Sequence, residues 1–316
     1  MRMMSLSIEL TLKHHYKNQA TLNIYTIGVQ MKILITGNKG FVGKYFTEEL
    51  SELPNVSITG ADIKDGIDCR DLFKRDDTQY DLVIHLAAIV GGRESIEGRP
   101  LAVADNLSID SEFFQWCLKT KPHKVVYFSS SAAYPVSLQC DKNIKLREFD
   151  INLKYPGAPD MTYGWSKLVG EYLSQFVPNV YIFRPFSGYG WDQDLTYPFP
   201  MYIKRAVERN DPFEVWGPGT QTRDFIHMKD VVNAVLAAVR EGITGPTNLG
   251  TGRSTSFLEL AKLTSQAVGY TPEIKTNPDK PVGCMFRVSD PRKMLEFYTP
   301  KITLEQGIDE AVKKFG

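Results

Sequence analysis

From Met31 onward the chain alternates two hydrophobic patterns. Lys32 to Thr36, Asp81 to Leu86, Lys124 to Ser129 and Val180 to Arg184 are short, largely apolar runs, as in strands buried on both faces, and Val56 to Asp62 reads as a further strand. Between them lie helix-length segments, the first from Phe41 to Leu53, whose apolar residues recur at three- and four-residue spacing. Strands spaced this way predict right-handed βαβ units: a doubly wound α/β domain, with a parallel sheet covered by helices on both faces.

After Arg184 the texture changes. Residues 185–225 are rich in proline, glycine and aromatics, which predicts a loop-rich lobe over a site. A helix from Asp230 to Arg240 and a strand from Thr247 to Gly250 return the chain to regular structure. The expected division is a main domain over 31–184 rejoined by 226–250, with 185–225 and 251–316 forming a smaller lobe. Residues 1–30 stand apart and read as a non-functional extension, or else as an extra strand or interface arm.

Composition narrows the partners. The 37 Lys and Arg balance 37 Asp and Glu, so the basic excess that drives binding to nucleic acid or anionic membranes is missing. The four cysteines, Cys69, Cys117, Cys140 and Cys284, share no metal-ligand spacing and read as free thiols of a cytoplasmic protein. No run reaches the roughly 18 to 20 apolar residues of a membrane span. Metal, nucleic acid and membrane are therefore not expected as partners.

The first strand leads into Gly37-Asn38-Lys39-Gly40-Phe41-Val42-Gly43, a GxxGxxG turn opening a helix. The first glycine permits the tight turn, the second lets backbone approach a pyrophosphate, and the third allows close helix packing. Asp62 ends the second strand about 20 residues further on, where a carboxylate accepts the adenosine ribose hydroxyls. That favours NAD, while Lys39 and Lys64, placed to reach a 2′-phosphate, leave NADP open. Asp68, beside Cys69, is placed either to hold the adenine amino group or to cap a helix. Leu86, Ala87 and Ala88 follow His85 as small or apolar residues at a strand end, where the backbone must pass close to the cofactor; His85 itself reads as a buried, satisfied histidine.

Tyr163 and Lys167 are four residues apart, hence on one face of a helix. An ammonium near a phenol stabilises the phenolate, so the tyrosine can serve as a base near neutrality. Ser129-Ser130-Ser131 ends the fourth strand at the edge where open α/β sheets bind ligands.

Taken together and in this order, TGNKGFVG from Thr36, Asp62, HLAA from His85, SSSAAYP from Ser129, YGWSK from Tyr163, RPFSGYG from Arg184, GTQTRDFIH from Gly219 and NLGTG from Asn248 resemble the extended short-chain dehydrogenase/reductase family. Within it the chain is similar to the nucleotide-sugar epimerase/dehydratase branch, over Met31 to Gly316. The resemblance implies a Rossmann sheet with a C-terminal substrate-binding lobe, a nicotinamide cofactor and a nucleotide-diphosphate sugar as substrate. It makes Tyr163 the general acid/base, Lys167 the residue that orients the nicotinamide ribose and tunes Tyr163, and Ser131 an aid at the substrate hydroxyl. Arg223, and less closely Arg287, match positions that grip the diphosphate, a task suited to bidentate guanidinium groups. A homodimer through the helices near 107–119 and 163–177 is implied as well.

Departures from related patterns select the reaction. Ala132 and Ala133 stand where dehydratases of this family carry an Asp-Glu pair, and where C3/C5 epimerases carry a cysteine; Cys140 lies too far along the loop to replace it. What is left needs only Tyr, Lys, Ser and a nicotinamide. The expected reaction is epimerisation, most often at sugar C4, through a 4-keto intermediate. Reduction of a 4-keto-sugar by NAD(P)H is the alternative, and a non-catalytic cofactor-sensing protein on the same fold is the reading of another class.

Overall fold

The computed structural model describes residues 30–315; the expected extension, but for its last residue, lies outside them. Six strands, β1 (Met31–Thr36), β2 (Val56–Ala61), β3 (Leu82–His85), β4 (Lys124–Phe128), β5 (Val180–Pro185) and β6 (Thr247–Leu249), form one sheet in the order 2-1-3-4-5-6. Every neighbouring pair runs parallel. The order reverses between β1 and β3, which opens the crevice where such sheets receive ligands.

Helices α1 (Phe41–Ser51), α2 (Cys69–Arg75), α3 (Pro100–Thr120), α4 (Met161–Ser174) and α5 (Met228–Glu241) cover the sheet. The two-residue period of a strand sorts the core into two layers. Ile33, Ile35, Val126 and Phe128 pack with Phe46, Leu50, Val231 and Val235 of α1 and α5. On the opposite face Leu34, Val83, Val125 and Tyr127 pack with Phe113, Phe114, Trp116 and Cys117 of α3.

A third core joins Tyr189, Tyr202, Phe213 and Val215 to Phe257, Leu260, Leu304 and Ile308. It includes a helix over Pro198–Val207 that the proline-rich sequence disguised. Pro198 and Pro200 sit in its first turn, where backbone N–H groups need no intrahelical partner. Phe199 is 1% exposed in this core.

Helix α4 approaches the sheet more closely than side chains normally allow. A Cβ at Gly164 would lie 2.3 Å from the Ala132 carbonyl oxygen, and one at Gly170 would lie 1.8 Å from the Tyr127 hydroxyl. A buried ion pair ties the same helix to β5. Arg184 donates to both Glu171 carboxylate oxygens at 2.8 and 2.6 Å, and Glu171 also accepts the Ser129 hydroxyl. Glu171→Ala strands a buried guanidinium and is expected to cost about 3–5 kcal/mol of stability, measured by urea unfolding; a loss below about 1 kcal/mol would contradict this reading.

Candidate functional site

The glycine turn packs under the β3 edge. Gly37 has φ +71°, a conformation that L side chains rarely adopt, and a Cβ there would come within 2.9 Å of the Ala87 amide nitrogen. At Gly43 it would meet the Gly37 carbonyl oxygen at 2.1 Å. Gly40 differs: a Cβ would meet only that same carbonyl, at 3.1 Å, and Gly40 caps α1 without a side-chain acceptor. The first amides of α1 therefore face a glycine-walled bay, and the Asn38 Oδ1 buried beside it has no partner among the described residues. This cradle fits the pyrophosphate of a dinucleotide. Phe41 and Val42, and Leu86, Ala87 and Ala88 across the crevice, are only partly covered.

Asp62, the expected ribose ligand, follows directly on β2. Its carboxylate accepts the Lys39 amide at 2.8 Å and the Lys64 amide at 2.9 Å, which fixes it at the rim of the bay. Lys39 is ion-paired with Asp65 and the Lys64 ammonium donates to the Lys39 carbonyl, so both lysines open to a 2′-phosphate are already engaged. Asp68 takes the capping role, accepting the Arg70 amide at 2.9 Å, and its carboxylate is also held by the Arg70 guanidinium. The Cys69 thiol is buried in the core, and burial pushes it up to about 12.

Tyr163 and Lys167 lie on α4, Lys167 being 3% exposed with its ammonium 5.1 Å over the Tyr127 ring. Burial first, then Tyr197, raises the Tyr163 hydroxyl above its ordinary range, and a hydrogen bond from Ser130 works the other way. Ser130 is thus a serine set beside Tyr163. Leaving β4, the side chains alternate: Ser129 is buried against Glu171, Ser130 is half-exposed, and Ser131 turns inward at the start of a short 3-10 turn, 5% exposed. A run of three identical residues hides this register from sequence reading.

Three guanidinium groups gather at the mouth of the lobe, two of them on one carboxylate. Arg287 donates to Asp160 and to the Gln139 side-chain oxygen, each at 2.6 Å, and Arg93 reaches Asp160 at 3.4 Å. Burial opposes ionisation of Asp160, but Arg287 and Arg93 outweigh it and hold the carboxyl below its usual range. Arg223 has no carboxylate within 4.0 Å among the described residues: its Nη1 donates to the carbonyls of Thr222 and Cys284. Burial and then Arg287 lower it to about 10. The surplus positive charge suits a diphosphate. Arg93 and Asp160 escaped sequence reading because neither belongs to a spaced motif. Among the described residues, no cluster of His, Cys, Asp and Glu could hold a metal ion and no helix is long and apolar enough to cross a membrane.

Gly43→Ala should weaken NAD binding about tenfold or more in calorimetric titration while circular dichroism stays unchanged; unaltered affinity would remove the cradle from the cofactor site.

The model of the NAD dependent epimerase/dehydratase family matches residues 33–250. A putative UDP-glucose 4-epimerase of Methanocaldococcus jannaschii is 29% identical over 315 residues, covering 89% of this chain and 97% of the relative. A dTDP-4-dehydro-6-deoxy-D-allose reductase of a Streptomyces species is 28% identical over 315 residues, covering 89% of this chain and 95% of the relative. The crystal structure of a UDP-glucose 4-epimerase of Thermus thermophilus in complex with NAD shares the fold, with TM-score 0.76 at 20% identity, covering 90% of this chain and 99% of that one. A family match over most of its length, with the glycine cradle and the Tyr163–Lys167 helix in place, makes this chain a member of the NAD dependent epimerase/dehydratase family.

Proposed function

We propose that the protein is an NAD-dependent nucleotide-sugar epimerase acting at sugar C4 through a 4-keto intermediate. The observation that carries this reading is the pairing of Tyr163, Lys167 and Ser130 at the cofactor crevice with two alanines, Ala132 and Ala133, buried beside them. Such a site can move a hydroxyl proton, and the two alanines offer no second acid/base pair for elimination or for carbon deprotonation. Bound NAD supplies the chemistry of taking a hydride from C4 and returning it. Tyr163, as phenolate, removes the C4 hydroxyl proton in the first half and gives it back in the second, while Ser130 holds the oxygen. The Lys167 ammonium offsets the burial that keeps Tyr163 a phenol. Once the keto-sugar has turned its other face, the same groups run the step in reverse.

The substrate diphosphate is held by Arg223 and Arg287, in a substrate-binding lobe of residues 185–225 and 251–316, against a cofactor unit of 31–184 and 226–250. Engaged Lys39 and Lys64 support NAD over NADP. Reduction of a 4-keto-sugar is the second reading, favoured by the similarity to the Streptomyces reductase. Trp165, Val169, Tyr172 and Phe176 lie exposed on or just beyond α4 at helical spacing, with Leu107 and Leu118 exposed on α3. This stripe supports a homodimer through α3 and α4, in a cytoplasmic setting that suits four free thiols.

Incubation with a panel of nucleotide sugars, following product stereochemistry and nicotinamide absorbance together, separates the readings. Interconversion without net redox is expected; stoichiometric consumption of added NAD(P)H with a keto-sugar would favour the reductase. Tyr163→Phe should lower kcat about a hundredfold to ten-thousandfold with cofactor still bound, and Ser130→Ala should lower kcat more than Ser131→Ala does. Tyr172→Glu should yield monomers in light scattering; an unchanged mass would move the interface elsewhere.

A further inference from the structure

Behind Lys167 lies a chain of buried polar groups that the acid/base reading leaves unused. Asp110, on α3 and 1% exposed, accepts the Tyr127 hydroxyl at 2.5 Å and faces His85 Nε2 at 3.3 Å. The Thr36 hydroxyl oxygen accepts the Leu86 and Ala87 amides at 3.2 Å each, so its own proton goes to His85 Nδ1, at 2.8 Å. That leaves the ring hydrogen on Nε2, where it donates to Asp110. Phe113 stacks on the imidazole at 3.8 Å and fixes its plane. Asp110 is thus gripped from two strands by two donors, one anchored in the backbone beside the cofactor crevice.

Two contacts bring this carboxylate to α4. The Tyr127 ring that donates to Asp110 lies under the Lys167 ammonium. One turn along, a Cβ at Gly170 would come within 2.7 Å of Asp110 Oδ2. Lys167 has no ion pair within 4.0 Å among the described residues, and the other carboxylate of this region, Glu171, is engaged by Arg184. The titratable groups facing the pair are His85 from β3, Tyr127 from β4 and Tyr163 from α4, with Tyr197 facing Tyr163 from the segment before Pro198. Burial keeps His85 neutral, and it keeps Tyr127 and Tyr197 protonated. Among the described residues, Asp110 is the fixed charge set against Lys167.

We propose that Asp110 is a positioning residue: held from behind by Tyr127 and His85, its carboxylate is the counter-charge that keeps Lys167 in place and protonated inside the core, and through Lys167 it sets the pH range in which Tyr163 works. Burial opposes the charge on both partners, and each favours the charged form of the other. The consequence for turnover rests on the function proposed above; the Lys167–Asp110 coupling does not.

The test follows lysine and aspartate titrations by NMR in the full chain, beside the pH dependence of kcat in the NAD-loaded enzyme. Asp110→Asn keeps the shape and removes the charge. The Lys167 midpoint should fall by about one pH unit or more. Both limbs of the pH profile should move to lower pH, since losing a nearby anion eases deprotonation of Tyr163 and of Lys167 alike. From the other end, Lys167→Met should raise the Asp110 midpoint, because the coupling is reciprocal. An Asp110→Asn protein with a depressed rate but an unmoved Lys167 midpoint and profile would reduce Asp110 to a packing role and overturn the proposal. So would an unmoved Asp110 midpoint in Lys167→Met, a measurement that stands even where Asp110→Asn does not fold. Failure on every nucleotide sugar would count against the functional reading alone, leaving the two titrations to decide on Asp110.

Discussion

The close approach of α4 to the carboxyl edge of the sheet is the constraint on which the site depends. Two missing side chains allow it. Gly164 lies against the Ala132 carbonyl and Gly170 against Tyr127 and Asp110, so the helix lies against β4 with Tyr163 and Lys167 turned into the crevice. The Arg184–Glu171 pair holds the same helix to β5. Exchange of either glycine for a larger residue would lift α4 from the sheet and carry the phenol away from Ser130. Catalytic geometry here is a consequence of backbone packing, and the reactive side chains are its passengers.

Charge follows the same logic. A chain with balanced totals carries strong local fields because its charges are placed rather than numerous. Helix amides and a glycine wall suit one diphosphate, and three arginines around Asp160 suit another. Asp160 is the internal counter-ion that keeps Arg287 and Arg93 ordered, and Arg223, held by two backbone carbonyls, has no carboxylate in direct contact among the described residues. Buried charge is tolerated in each case because a partner or a set of hydrogen bonds is fixed in advance.

Much of this was legible from the chain itself, and the exceptions have physical reasons. All five strand runs and the helix from Asp230 appear within a residue or two of their expected ends, because the inner parallel strands, buried on both faces, leave a largely apolar signature and the edge strand β2 keeps the two-residue alternation of a half-covered one. The Pro198 helix did not, since prolines that a first turn tolerates look like loop signals. Gly37, Gly43 and Asp62 stand where spacing placed them, and Asp68 caps its own helix and pairs with Arg70. Ser130 and Ser131 differ only in which way a strand end points, which no motif records. Asp110, Arg93 and Asp160 act through tertiary neighbours far away in sequence, so their meaning exists only in the fold.

In the proposed reaction one tyrosine, its lysine and a retained nicotinamide oxidise and re-reduce the same sugar carbon. A nucleotide sugar deuterated at C4 tests it most directly, with product analysed by mass spectrometry and NMR. Inverted product that keeps its deuterium at C4, even with unlabelled NADH in solution, is expected. Deuterium released to solvent or to the free nicotinamide pool, or product with unchanged C4 stereochemistry, would contradict it.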